Sequence, residues 1–295
     1  MTMKLTLADL SVLKQHQQRI TMVTAYDAPS ARFADAAGID AILIGDSAAM
    51  TVFGYDQTKA ITLDDMLLLA RAVRRGASRA LLIADMPFGS VQVSDQQTVS
   101  NAVRFVKEAG VDAVKIEGAG PMTRRIGAVI DAGIPVVGHI GLTPQSADLL
   151  GGFKPQGRTA ATARVLLDDA LALERAGCVA IVLEAMPDPV AARITGALGI
   201  PTIGIGAGAR CDGQVLVWHD LLGLGGIPDS QGTHPHVPKF VRQYADLGPQ
   251  IVKAIEDYVA DVRAGRFPAV QHTYSMPEEE RTRFEADAPA SPNRR

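Results

Sequence analysis

The stretch Ala109-Gly110-Val111-Asp112-Ala113-Val114-Lys115-Ile116-Glu117 decides the fold. A helical pattern runs out at Ala109, and a glycine follows where a left-handed C′ residue suits a helix end. A five-residue run comes next, too short for a helix and apolar except at Lys115 and Glu117. Those two are two apart, so in a strand they share one face. The same junction recurs at Ala37-Gly38-Ile39, Ala132-Gly133-Ile134, Ala176-Gly177-Cys178 and Leu198-Gly199-Ile200. Each reads as a helix stop on glycine, with a buried strand close behind it.

Working outward, eight strand-length apolar runs are predicted: 21–26, 40–45, 80–84, 113–117, 135–139, 179–184, 202–206 and 215–218. They are near-continuous rather than alternating, which implies burial on both faces, as in a parallel sheet. Helical periodicity fills stretches 64–75, 96–109, 160–176 and 189–198 between them. The class is therefore α/β, and eight repeated βα units predict a closed (β/α)8 TIM barrel; an open doubly wound sheet is the alternative. About eight residues separate the last two runs, which leaves room for a short helix or a bare loop only. Stretch 7–18, capped by Thr6, is expected to be a helix closing the barrel's base, and 240–263 a helical extension. We expect one barrel domain over 1–275 and a disordered tail, rich in Glu, Arg, Ala and Pro, over 276–295.

The bulk composition narrows the function. The chain has 295 residues, 47% of them hydrophobic, with 28 glycines, which fits a barrel of about 250 residues with extensions. Its 29 Lys and Arg against 32 Asp and Glu are interspersed, so no clustered basic face points to nucleic acid. Cys178 and Cys211 are the only cysteines, which excludes a disulfide framework or a zinc ribbon. No apolar run reaches the roughly 18 residues of a membrane helix, and residues 7–18 are too polar for a signal peptide. A cytoplasmic protein without membrane or nucleic-acid partners is expected.

In a parallel barrel the site forms at the carboxyl ends of the strands. The polar residues that close the apolar runs are Asp46 and Ser47, Asp85, Lys115 with Glu117, His139 and Glu184. A single aspartate there could be a helix cap or a turn residue. Asp46, Asp85 and Glu117 on adjacent strands would repel one another unless a cation lay between them, and oxygen-only donors favour a hard ion such as Mg²⁺. Lys115 and Glu117 could form a plain salt bridge, or Lys115 could bind a substrate carboxylate or oxyanion. Glu184 follows Val179-Ala180-Ile181-Val182-Leu183, a setting that suits a general base, with pairing to Arg193 as the bland alternative. His139 stays unassigned between a satisfied core residue and a site residue.

Two motifs are set aside. Gly204-Ile205-Gly206-Ala207-Gly208-Ala209 fits a dinucleotide fingerprint in letters, but no full helix and no acid at the required distance follow it. His234-Pro235-His236 lies in a Pro- and Gly-rich loop and lacks a nearby third metal ligand.

Taken together, Thr24-Ala25-Tyr26-Asp27, Ile44-Gly45-Asp46-Ser47, Ala84-Asp85-Met86-Pro87-Phe88, Val114-Lys115-Ile116-Glu117-Gly118, Gly138-His139-Ile140-Gly141-Leu142-Thr143-Pro144-Gln145-Ser146, Gln156-Gly157-Arg158 and Gly204-Ile205-Gly206-Ala207-Gly208 resemble the ketopantoate hydroxymethyltransferase family, in family order over roughly residues 5 to 270. The resemblance implies a barrel of the phosphoenolpyruvate/pyruvate superfamily and a homo-oligomer, typically a decamer. It implies transfer of a hydroxymethyl group from 5,10-methylenetetrahydrofolate to 3-methyl-2-oxobutanoate through an enolate stabilised by one Mg²⁺ per subunit. It gives Asp46, Asp85 and Glu117 to the metal and Asp46, Ser47, Asp85 and Lys115 to the keto acid, with Glu184 as the proton acceptor. Ala48-Ala49, Lys59-Ala60 and Trp218 depart from the family's usual residues, and 228–237 reads as an insertion. The loop over 142–158 is expected to be able to close over the site. Two other classes fit less well. A keto-acid carbon–carbon lyase or mutase of the same superfamily usually carries a reactive cysteine after its third or fourth strand. A non-catalytic scaffold has no use for clustered charges.

Overall fold

A computed structural model describes residues 3–226 and 237–286. Its eight strands are β1 Ile20–Thr24, β2 Ala41–Ile44, β3 Leu81–Asp85, β4 Ala113–Glu117, β5 Val136–Gly141, β6 Ala180–Glu184, β7 Thr202–Ile205 and β8 Gly213–Leu216. All neighbours pair in parallel and β8 pairs with β1, so the sheet closes into a barrel in sequence order. This is the expected (β/α)8 barrel, and the open sheet is excluded.

Helix α1 Leu7–Gln15 precedes the barrel, and α2 Ala28–Ala36 joins β1 to β2. The short α3 Ala48–Thr51 and then α4 Leu63–Gly76 lead to β3. Next come α5 Asp95–Arg104, α6 Pro121–Asp131, α7 Ala160–Arg175 and α8 Asp188–Ala197, one after each of β3 to β6. A bare turn joins β7 to β8, and α9 Trp218–Leu222 follows β8. The helix starts are coded locally: Thr62 and Asp65 form a capping box on α4, and Asp27 with Ser30 forms one on α2. On α4, Met66, Leu67, Ala70 and Val73 recur at helical spacing and are fully buried.

Two apolar layers result. One lies between barrel and helices, and the other fills the barrel interior with Met22, Leu43, Ile83, Val137, Val182 and Val215. Leu10 of α1, 1% exposed, belongs to that inner cluster, so α1 closes the barrel's base as expected. With the base plugged and the middle filled, only the carboxyl-end layer can hold polar groups.

Local details depart from the sequence reading. Gly38, Gly110, Gly133 and Gly177 all take positive φ, but Gly199 does not. There α8 stops at Ala197, Leu198 is extended, and the Gly199 N–H donates to Glu174 Oε1 at 2.6 Å. The helix predicted over 96–109 changes to a π turn over Phe105–Ala109 before Gly110.

The chain divides into compact units Met1–Ala245 and Asp246–Arg295. In the second unit, α10 covers Leu247–Arg263 rather than 240–263. Pro249 lacks an N–H and fits only the first turn of a helix, which sets the start. Tyr258 meets the Phe267 ring edge-on at 5.6 Å. Of the tail expected to be disordered over 276–295, residues 287–295 lie outside the described residues and Glu278–Ala286 forms helix α11. Three glutamates stand in its first turn, where the helix dipole favours them, and Arg281 pairs with Glu278. His234, His236 and the rest of 227–236 lie outside the described residues.

Candidate active site

The register of the sheet builds the site. Asp85 is level with Lys115, and Glu117 is level with His139. Inward side chains two apart on a strand share a face, so Lys115 and Glu117 both enter the barrel mouth. Lys115 Nζ lies 3.0 Å from Asp85 Oδ1, 4.0 Å from Glu117 Oε1 and 3.1 Å from His139 Nδ1. His139 Nδ1 is 3.3 Å from Glu117 Oε1, and its Nε2 is 3.2 Å from Glu184 Oε2. Glu184 therefore pairs with His139 and not with Arg193 among the described residues.

Asp46 and Ser47 leave β2 in a tight turn. The Asp46 N–H donates to Asp85 Oδ2 at 3.0 Å, and Asp46 Oδ2 accepts from Gln145 Nε2 at 2.8 Å. Gly45 leaves room for this turn: a Cβ there would lie 2.7 Å from Ser47 Oγ and would displace that hydroxyl. Trp218 N–H donates to Thr24 Oγ1, Thr24 donates to the Tyr26 hydroxyl, and that hydroxyl lies 2.8 Å from Ser47 Oγ. Either hydroxyl can be the donor in the Tyr26–Ser47 pair; with Tyr26 donating, the Ser47 proton is free for another acceptor.

Asp46, Asp85, Lys115 and His139 are each 4% exposed or less. Burial first, then Asp85 and Glu117, push the Asp46 carboxyl up to about 8. Burial also raises Asp85, although Lys115 and the Asp46 N–H work against it. Burial opposes the Lys115 charge, yet Asp85, Glu117 and Asp46 outweigh it and hold the ammonium above its usual range. For Glu117, burial works upward, but bonding to His139 and the Lys115 charge leave it below the ordinary carboxylate value. Burial and Lys115 pull His139 down, whereas Glu117 and Glu184 raise it to about 9.

These groups line a cavity of about 620 Å³ to which all eight strands contribute. Its floor includes Leu43, Val182, Ile205 and Val215; Met50, Leu142, Phe153, Pro155 and Phe240 stand around it. Every proposed site residue (Asp46, Ser47, Asp85, Lys115, Glu117 and Glu184) lines this one cavity. Gln145, Thr24 and Tyr26 were missed as site residues, because their roles come from loop and strand geometry and not from closing an apolar run. The Gly204–Ala209 stretch makes the β7–β8 turn, with positive φ at Gly206 and Gly208, and opens no helix.

The family model described as ketopantoate hydroxymethyltransferase matches residues 4–270. The 3-methyl-2-oxobutanoate hydroxymethyltransferase of Oleidesulfovibrio alaskensis is 52% identical, over 96% of this chain and 95% of that one. The enzyme of the same name from Heliobacterium modesticaldum is 50% identical, over 95% and 98%. Among solved structures, a phosphoenolpyruvate phosphomutase from Streptomyces platensis subsp. rosaceus aligns with TM-score 0.57 at 18% identity, over 96% of this chain and 98% of that one. A 2,3-dimethylmalate lyase of the PEP mutase/isocitrate lyase superfamily aligns at 0.56 and 16%, over 97% and 98%. These two share the barrel fold with this protein. With a family model over nearly the whole barrel and relatives at half identity, the chain belongs to the ketopantoate hydroxymethyltransferase family.

Proposed function

We propose that this protein transfers a hydroxymethyl group from 5,10-methylenetetrahydrofolate to 3-methyl-2-oxobutanoate, giving 2-dehydropantoate for pantothenate biosynthesis. The observation that carries the reading is the convergence of Asp46, Asp85, Lys115, Glu117 and Glu184 on one cavity, in a chain half identical to enzymes named for this reaction.

The acids suit one divalent cation, with Mg²⁺ as the proposed ion. Asp85 Oδ1 and Glu117 Oε1 are buried and accept no well-aligned hydrogen bond; their neighbours are the Lys115 ammonium and His139, so both oxygens lie where positive charge is favoured. Among the described residues no set of three or more His, Cys, Asp or Glu side chains is placed to hold a metal ion by itself. Mg²⁺ does not require such a set, since it commonly takes one or two carboxylates and completes its shell with water and substrate. Asp46 and Asp85 would hold it, with Glu117 supporting. When bound, it supplies Lewis-acid polarisation of a carbonyl.

The protein's own groups do the rest. The Lys115 ammonium, kept charged by Asp85 and Glu117, is a fixed cation for a substrate carboxylate or for charge developing on the keto oxygen. The Ser47 hydroxyl, oriented through Tyr26, donates to the same substrate. Glu184, the most exposed of the strand-end acids at 16%, takes the C3 proton. Apolar walls exclude water from the enolate and leave space for the folate ring system. The same resemblance supports a homo-oligomer of decamer type in the cytoplasm, which sedimentation would test.

The direct test incubates purified protein with the keto acid, the folate and Mg²⁺ and detects 2-dehydropantoate by mass spectrometry. Glu184→Gln should lower kcat by about 10²-fold or more. Product formation that is absent in wild type, or unchanged in this variant, refutes the reaction or the base assignment respectively.

A further inference from the structure

The geometry points to Gln145 as the residue that restricts Asp46 to one open oxygen and thereby sets which divalent cation the site prefers. The inference rests on the metal reading above and adds a positioning residue to it.

Gln145 lies in a short 3-10 turn, Pro144–Ser146, just past β5, and is 3% exposed. Its Nε2 donates to Asp46 Oδ2 at 2.8 Å and to the Met86 carbonyl oxygen at 3.0 Å. A backbone carbonyl cannot donate, so the amino end of the carboxamide must face this pair, and both its hydrogens are used. The Gln145 backbone N–H donates to Glu117 Oε2 at 3.1 Å. One loop residue thus reaches the ends of β2, β3 and β4 together.

The consequence falls on Asp46. Its Oδ2 is tied to Gln145, while Oδ1 accepts no hydrogen bond from the described residues. A carboxylate with both oxygens free can bind a cation through the two together, as Ca²⁺ tolerates, whereas Mg²⁺ demands near-octahedral geometry at shorter range. Holding Oδ2 on Gln145 leaves a single-oxygen ligand and favours the smaller ion. The bond to Glu117 is made by the backbone N–H, which Met and Asn at this position keep, so side-chain variants are aimed at the Asp46 contact alone.

The test measures Mn²⁺, Mg²⁺ and Ca²⁺ binding by calorimetry, with Mn²⁺ also followed by EPR, on wild type, Gln145→Met, Gln145→Asn and Asp46→Asn. Gln145→Met should weaken Mn²⁺ and Mg²⁺ by roughly 10- to 100-fold and Ca²⁺ clearly less, so that the Mg²⁺ preference narrows. Gln145→Asn, whose amide falls one methylene short, should do the same and decides the matter if the Met variant does not fold. Unchanged binding overturns the inference, and so does equal loss for all three ions, which would mean a merely structural role. Failure of the metal reading looks different: wild type binds no Mn²⁺, or Asp46→Asn binds it as tightly as wild type, and both ideas then fall.

Discussion

His139 Nε2 lies 3.2 Å from Glu184 Oε2, in a direction out of line for a full hydrogen bond. The other ring nitrogen approaches Glu117 and Lys115, so one imidazole connects the proposed base to the charged cluster. His139→Gln should lower kcat by roughly 10- to 100-fold, by analogy with groups that orient a ligating or reacting partner, while KM for the keto acid changes little. Steady-state kinetics checks the split; a KM effect alone would place His139 in substrate binding instead.

Tyr26 aims the Ser47 hydroxyl through a chain that begins at the Trp218 N–H. Tyr26→Phe removes the middle of that chain at a buried position. The expected effect is a KM for the keto acid raised about 3- to 10-fold, the worth of one hydrogen bond of about 0.5–1.5 kcal/mol. A KM equal to wild type would show that Ser47 needs no such guidance.

The buried charges predict how stability depends on pH. Asp46 is raised from 3.8 to about 8 and His139 from 6.5 to about 9. Both folded-state values exceed the unfolded ones, so the folded state binds these protons more tightly. Their contribution is present below the unfolded values and is lost as pH rises through the folded ones. The Tm of protein stripped with EDTA should therefore fall between about pH 6 and about pH 9, and the fall should be shallower in Asp46→Asn. A flat or rising Tm across that window contradicts the electrostatic account.

Ala185, next to Glu184, has φ +44°, a conformation that L residues seldom adopt. Two backbone bonds hold it: its N–H donates to the Ile205 carbonyl, and its own carbonyl accepts from the Gln156 N–H. Such strain costs on the order of 1–3 kcal/mol, and glycine relieves it at an entropic cost of roughly 0.5–1 kcal/mol. Ala185→Gly should therefore fold with Tm equal to or above wild type. A clear drop in calorimetry would mean that the methyl packing outweighs the strain.

The barrel was legible because a parallel strand buried on both faces leaves an unmixed apolar run, and the acids that break such runs sit at the strand ends. Asp46, Asp85, Lys115, Glu117 and Glu184 were found in that way. Gln145 was visible only as a letter in a motif, since its reach to three strands depends on a loop path with no periodicity. Tyr26 escaped, and His139 was found at a strand end but left without a role, because their partners are set by barrel register and closure, which pair residues far apart in sequence. The start of α10 and the helix α11 were misjudged where one proline and a few ion pairs outweigh composition.

The central claim is that the strand-end cluster removes the C3 proton of a keto acid. NMR in D₂O measures it directly, following that proton of 3-methyl-2-oxobutanoate with enzyme, with and without Mg²⁺, and then with the folate added. The account predicts exchange that requires both Mg²⁺ and Glu184, followed by 2-dehydropantoate when the folate is present. No exchange under any of these conditions would contradict it.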